Sequence, residues 1–178
     1  MIYKRYKNII IIGCIFLLLL CIIPIPIKID QSISGIELSP TDSNNTNDVK
    51  ITVKGTFYWK MIKLLGKDQF RGNISIDRYP FTEEKILNNN QAFQIIYHDS
   101  VPMQYYNKKD IFDFDIETLG FLGTTWKLKH FAILVQIDPL NPTFIVANSR
   151  NREQALEELK FLKKAFDGIV EYKQLNIQ

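Results

Sequence analysis

The uncharged run NIIIIGCIFLLLLCIIPIPI, residues 8–27, determines the interpretation of the whole chain. A helix rises about 1.5 Å per residue, so a run of this length matches the ~30 Å hydrocarbon thickness of a bilayer. Backbone amides in lipid have no water to bond, which favours an unbroken helix there. The run therefore predicts a transmembrane helix over residues 8–27, through which the chain would contact the membrane.

The charges beside this run predict its orientation. Lys4, Arg5 and Lys7 are the only charged residues before it, and basic flanks stay in the cytoplasm. Residues 1–7 are thus expected to form a cytoplasmic cap, with the C-terminal part of the chain outside the cell membrane, as in a single-pass signal anchor. The alternative is a secreted protein with a cleaved signal, because Pro24 and Pro26 shorten the helix and the small residues 32–35 (SISG) offer a cleavage site.

The distribution of charge argues against nucleic acid as a partner. The three basic residues of the cap account for the whole net charge of +3, so the rest of the chain is balanced. A nucleic-acid-binding domain carries its positive excess on the folded part.

Both cysteines, Cys14 and Cys21, lie inside the apolar run. Cys14 ends a short box, IIGC, of the kind that bacterial lipoproteins carry, but most of the apolar residues follow it, so a plain membrane cysteine is the favoured interpretation. The exported part has no cysteine, hence no disulfide, and no cysteine and histidine spacing typical of a transition-metal site. We predict neither a metal site nor a cofactor.

Residues 28–48 are expected to form a flexible tether. Their second half, SPTDSNNTND (residues 39–48), has no large apolar side chain that could repay the entropy of ordering. A short strand over residues 32–38 is the only regular element expected in this part.

From residue 49 the pattern changes to a period of two, which is typical of strands with one face buried. Residues 49–58 and 70–76 alternate in this way, whereas FAILVQI, residues 131–137, is apolar on both faces and predicts a central strand. Residues 152–166 have a single apolar stripe at helical spacing, with Asn151 and Gln154 in capping-box positions. The predicted fold class is α+β: a transmembrane helix, then an antiparallel sheet, curled or open, capped by one C-terminal helix, with residues 49–178 as the extracytoplasmic domain.

Few residues have the character of catalytic groups. His98, Asp99 and Ser100 are consecutive, and three neighbours cannot meet as a triad, so they predict a turn. His130 lies between two apolar segments and is expected at a sheet edge. We therefore predict no catalytic residue, although a hydrolase with His98 or His130 as its base is the alternative.

Three further groups of residues could form ligand sites. The acidic row Asp113, Asp115 and Glu117 could contact Ca²⁺, but alternate strand residues are ~6.6 Å apart, so a solvated face is favoured. Arg150 and Arg152 flank the start of the predicted helix, where unpaired amides favour anions, but the glycines of a phosphate loop are absent. A ligand groove could be lined by aromatic residues, for which a role in the core is the more usual one: Trp59, Tyr97, Tyr105, Tyr106 and Trp126.

The layout as a whole resembles small membrane-anchored proteins of Gram-positive bacteria. The resemblance rests on the basic cap, the apolar run, the polar tether and three stretches: VKITVKGTFY (49–58), KDQFRGNISID (67–77) and FIVANSRNREQALEEL (144–159). It implies a location at the cell envelope and brings no catalytic residue. The function expected is non-enzymatic binding of a protein partner or small ligand there; an envelope hydrolase and an immunity or inhibitor protein are the alternatives.

Overall fold

The computed structural model describes Tyr6 and residues 10–13, 23–39, 46–62, 66–95, 99–107, 115–125, 128–137, 142–167 and 169. Nine strands are found in these residues, and they form one antiparallel sheet in the order β4-β6-β7-β8-β9-β1-β2-β3-β5. The strands are β1 (Ile25–Leu38), β2 (Thr46–Trp59), β3 (Asp68–Ile76), β4 (Ile86–Leu87), β5 (Phe93–Ile95), β6 (Ser100–Tyr106), β7 (Ile116–Thr124), β8 (Phe131–Val135) and β9 (Thr143–Ala147). The helices are α1 (Phe81–Glu84), a 3-10 turn (Asn88–Asn90) and α2 (Arg152–Phe166).

The sheet is curled into a half-barrel, and its concave face encloses the larger of two apolar cores. Alternation supplies this core, because every second residue of a strand points to the same face. In β2 the inward residues Val49, Ile51, Val53 and Phe57 are buried, and β8 is buried along its whole length. The antiparallel sheet and the two-sided burial of residues 131–135 confirm the sequence predictions.

A bulge in β7 contributes to the curvature. Met103 of β6 lies opposite Gly120 and Gln104 lies opposite Thr118, so Leu119 is an extra residue on β7. Gly120 has a φ of +148°, which side chains rarely allow. Bulges bend the strand that carries them and increase its twist.

The helix α2 packs on the convex face and has the bounds that the sequence predicted. The side chain of Asn151 accepts a hydrogen bond from the N–H of Gln154 at 2.9 Å, as a capping box requires. Phe166 packs edge-on against Phe144 of β9, with ring centroids 5.5 Å apart. At Gly123 of β7 an added Cβ would lie 2.6 Å from the Phe166 ring, so the helix approaches the sheet closely only because this residue is glycine.

The predicted fold class is wrong in its first element, the transmembrane helix over residues 8–27. No helix in the described ranges is long and apolar enough to cross a membrane. Residues 10–13 are helical, residues 25–27 belong to β1, and residues 8, 9 and 14–22 lie outside the described ranges. The physical reason is local: Pro24 and Pro26 oppose a helix, and the β-branched isoleucines that alternate with Pro26 and Lys28 favour a strand.

The predicted tether over residues 28–48 is also wrong where the structure describes it. Residues 28–38 continue β1, and residues 46–48 begin β2, opposite the end of β1. The sheet therefore begins at Ile25 and not at residue 49, and the short strand expected over residues 32–38 is the second half of a 14-residue strand. Residues 40–45 lie outside the described part. Cleavage within residues 32–35 would divide β1.

Candidate functional site

The N-terminal half of β1 extends beyond the strand that pairs with its C-terminal half. β1 pairs with β2 over its whole length, but with β9 only from Gly35 to Leu38. The last hydrogen bond on the β9 side joins the N–H of Asn148 to the carbonyl oxygen of Ser34, at 2.9 Å. Among the described residues, residues 25–33 thus have a neighbouring strand on one side only; we call this other side the open edge of β1.

The open edge exists because β9 ends at Ala147 and is followed by the turn residue Asn148. This residue has a φ of +62°, a conformation that asparagine tolerates better than most residues and that turns the chain out of the sheet. Its side-chain Nδ2 donates to the carbonyl oxygen of Lys129 at 2.9 Å, which fixes the turn beside the segment before β8.

The hydrogen-bonding groups of the open edge follow from the bond at Ser34. Backbone groups of successive strand residues point to alternate sides, so Ser32, Asp30 and Lys28 direct both N–H and C=O to the open edge. Pro26 directs only a carbonyl there. Three donors and four acceptors thus form a ladder without a partner strand in the described part of the chain.

An apolar groove of about 310 Å³ lies on the concave face beside this edge. Its apolar lining consists of Ile27, Ile29, Ile33, Phe57 and Leu128. Ile27 and Ile29 are only partly buried, and Ile25 at the end of the same row is exposed. The backbone ladder and the groove together have the two parts of a strand-addition site: main-chain groups for affinity, and a recess for alternate side chains.

A buried carboxylate lies at the other end of β1. The Glu37 side chain is 8% exposed; its Oε1 accepts hydrogen bonds from Tyr79 Oη at 2.5 Å and Thr143 Oγ1 at 3.1 Å. Its Oε2 lies 2.9 Å from Nε of Arg78, whose side chain is 43% exposed. Burial, and then the hydrogen bond to Glu37, raise the pKa of Tyr79 to about 12. These contacts join β1, β9 and the segment after β3, and sequence reasoning missed them because the partners are far apart in the chain.

The acidic row forms ion pairs within the protein where it is described. Lys85 Nζ lies 2.5 Å from Asp115 Oδ2 and 2.7 Å from Glu117 Oε1. The hydrogen bond to Asp115, and then that to Glu117, raise the pKa of Lys85. Asp113 lies outside the described residues.

Of the two histidines, His130 lies in the described part of the chain. His98 lies outside the described residues; Asp99 and Ser100 adjoin the start of β6, where the Asp99 side chain accepts from the Ser100 N–H at 2.8 Å. His130 is 52% exposed, and its Nδ1 lies 3.0 Å from Oε2 of Glu158 on α2. This pair links the start of β8 to the helix at the surface.

The two arginines near the helix start do not converge on one anion site. Arg152 donates to the carbonyl oxygen of Ser39, at 3.3 Å from Nη2. Arg150 lines a cavity of about 480 Å³ that also includes the carboxylates of Asp48 and Asp77, so its charge environment is mixed.

The proposed aromatic groove does not form among the residues that are described. Tyr105 is buried in the concave core, Tyr106 bonds Gln104 at 3.1 Å, and Trp59 packs at the margin of the core. Tyr97 and Trp126 lie outside the described ranges. The aromatic residue of the groove is Phe57, which the sequence indicated only as one inward residue of a strand.

Within the described ranges, no three histidine, cysteine, aspartate or glutamate side chains are grouped as a metal site would require. Comparisons with models of protein families, with curated proteins and with solved structures gave no match.

Proposed function

We propose that this domain is a non-enzymatic binding module that takes up an extended polypeptide segment along the open edge of β1. One observation carries the proposal: the ladder of Lys28, Asp30 and Ser32, which has no partner strand among the described residues, runs beside an apolar groove. An added strand would complete the ladder and place every second side chain in the groove.

Within the described ranges, the protection of this edge is only partial, which supports a role in binding. Natural proteins shield open edges with proline, charged residues, bulges or covering segments. The open edge of β1 has one proline, at its end, and the adjacent charges of Lys28 and Asp30 are of opposite sign. A partner strand with complementary charges at these positions would be favoured over one with like charges.

A small apolar ligand is the second candidate, because the groove volume of about 310 Å³ is at the lower end of the ~300–1,000 Å³ of typical ligand pockets. Such a ligand would use the side chains of the groove and not the backbone ladder. The two candidates therefore respond differently to loss of an N–H group at the edge.

We also propose that the domain acts outside the cytoplasm. The basic residues Lys4, Arg5 and Lys7 before an uncharged run support export. The test is protease treatment of intact cells that carry a C-terminally tagged chain: loss of the tag is expected, and full protection until lysis would contradict export.

The binding proposal is tested with two substitutions of one residue. Peptides selected from a random library on the full-length chain are measured against Asp30→Pro, which lacks the edge N–H, and against Asp30→Ala, which keeps it. The β1–β2 bonds are unaffected by either change, because Asp30 directs its backbone to the open edge. We expect about tenfold weaker binding to Asp30→Pro than to Asp30→Ala, because proline removes one hydrogen bond between the edge and the added strand.

Equal binding by the two variants would contradict strand addition. If small apolar molecules bind the chain, and this binding is lost in Phe57→Ala but unchanged in Asp30→Pro, the second candidate is correct.

A further inference from the structure

We infer that the segment taken up by the open edge is the β1 strand of a second copy of this chain. The inference rests on the proposed function, because it names the partner for the same edge. Four properties of the edge support it: its length, its pattern of donors and acceptors, its charges and its apolar groove face.

The open length is symmetric about one residue. It extends from Ile25, where β1 begins, to Ile33, after which Asn148 occupies the Ser34 carbonyl. The midpoint is Ile29. Two copies that pair antiparallel about a two-fold axis at Ile29 use the whole open length. Ile25 of each copy then lies opposite Ile33 of the other, next to Ser34, whose carbonyl is already bonded to Asn148. Such isologous contacts are the commonest way in which identical chains associate.

This register satisfies the backbone ladder. Lys28 lies opposite Asp30 of the second copy, and each such pair exchanges two N–H···O=C bonds. Ser32 donates to the carbonyl of Pro26 of the second copy. Pro26 lacks an N–H group, but it lies at the end of the ladder. One hydrogen bond is therefore missing at each of the two ends, and the centre of the ladder is not interrupted.

The charges select the same register. About Ile29, each Lys28 ammonium lies opposite an Asp30 carboxylate, twice in the symmetric pair. Sliding one strand by two residues in either direction places Asp30 opposite Asp30, or Lys28 opposite Lys28, and like charges directly opposite are destabilising. A slip of one residue would place outward residues on the groove face.

The groove face is also self-complementary. Ile29 meets Ile29 of the second copy at a non-hydrogen-bonded position, where side chains approach most closely. Ile25 and Ile27 of the incoming strand lie on the same face, so the row that enters the groove is apolar, as the groove lining is.

Disulfide formation tests the register. In a Cys14→Ser/Cys21→Ser background of the full-length chain, Ile29→Cys should form a disulfide-linked dimer, because facing Cα atoms at such a position are ~4.5 Å apart. Gln31→Cys is the matched control on the same face: its two copies would be about 13 Å apart and should not link. Mixing Ile27→Cys with Gln31→Cys chains should give the mixed disulfide.

Charge exchange tests the pairing without altering the groove. Lys28→Asp and Asp30→Lys should each weaken the dimer measured by sedimentation equilibrium by about tenfold, since two attractive pairs become repulsive. The double variant Lys28→Asp/Asp30→Lys should restore association to about the original strength. Both positions are exposed, but Asp30 lies opposite Lys54 of β2, so Asp30→Lys also places like charges together within one chain; urea unfolding of each variant separates this effect from the loss of pairing.

A full-length chain that stays monomeric and gives no Ile29→Cys disulfide overturns the inference, as does a dimer in which charge exchange has no effect. The proposed function is judged separately: if that monomer still binds library peptides in a manner sensitive to Asp30→Pro, strand addition stands and only the partner is wrong. If peptide binding is also indifferent to Asp30→Pro, both are wrong.

Discussion

The hydroxyl of Tyr105 donates a hydrogen bond to the carbonyl oxygen of Ile74 at 2.6 Å, and both residues are fully buried. Tyr105 is on β6, second from one edge of the sheet, and Ile74 is on β3, second from the other edge. The bond therefore spans the concave core between strands that are not neighbours. A second link runs parallel to it, from the N–H of Leu87 on β4 to Oδ1 of Asn73 on β3 at 3.1 Å. Together they hold the curl that shapes the groove.

Tyr105→Phe should destabilise the fold by about 1–3 kcal/mol, because it leaves the Ile74 carbonyl buried without this partner. Tyr106→Phe is the matched control, since its hydroxyl donates to the half-buried Gln104 side chain; its cost should stay within about 0.5 kcal/mol. Urea unfolding measures both. Equal effects would mean that the Tyr105 bond does not close the sheet.

Gly123→Ala should cost about 1–3 kcal/mol, because the new methyl group meets the Phe166 ring at 2.6 Å and α2 must shift. Phe166→Leu removes the obstructing ring. It should therefore lower the unfolding free energy less in the Gly123→Ala background than in the original protein. Unfolding of the two single variants and the double variant gives this coupling. Strict additivity would contradict the close approach of helix and strand.

Alkaline pH should weaken the fold partly through Tyr79. Its pKa is raised from 10 to about 12, so the folded state holds the proton more tightly than the unfolded chain does. This contribution is complete below pH 10 and is lost as the pH rises towards about 12. Tyr79→Phe should therefore make the fall in unfolding free energy over that range less steep, although burial also raises the pKa of Tyr105 and leaves part of the slope. Identical slopes for Tyr79→Phe and the original protein would show that Glu37 and burial do not raise the pKa of Tyr79 in the folded state.

Strands β2, β3 and β8 and the helix α2 could be predicted because each has a strong local pattern. In β2, Val49, Ile51 and Val53 alternate with polar residues, and in α2 the capping pair Asn151 and Gln154 precedes an apolar stripe. Local periodicity of this kind survives folding because each element buries one face.

The first half of β1 was missed although its signal was present. Ile25, Ile27 and Ile29 alternate with Pro26, Lys28 and Asp30, but hydropathy summed over a long window merges these isoleucines with the preceding apolar run. A period of two that begins at a proline is the observation that could have placed the strand correctly.

The open edge and the Glu37 cluster could not be predicted in the same way. The edge depends on where β9 ends beside β1, and the cluster depends on Thr143 reaching Glu37 from 106 residues away. Both are consequences of strand register, which a single sequence does not reveal.

Amide hydrogen exchange along β1 tests the central claim most directly. In dilute full-length protein, the amides of Ile29, Gln31 and Ile33, which face β2, should exchange slowly, while those of Lys28, Asp30 and Ser32 should exchange rapidly. On association, either at high protein concentration or with a selected peptide, the second set should become protected as well. Protection of Lys28, Asp30 and Ser32 already in the dilute monomer, or unchanged rapid exchange in the complex, would contradict the account, because the edge would then be either covered or unused.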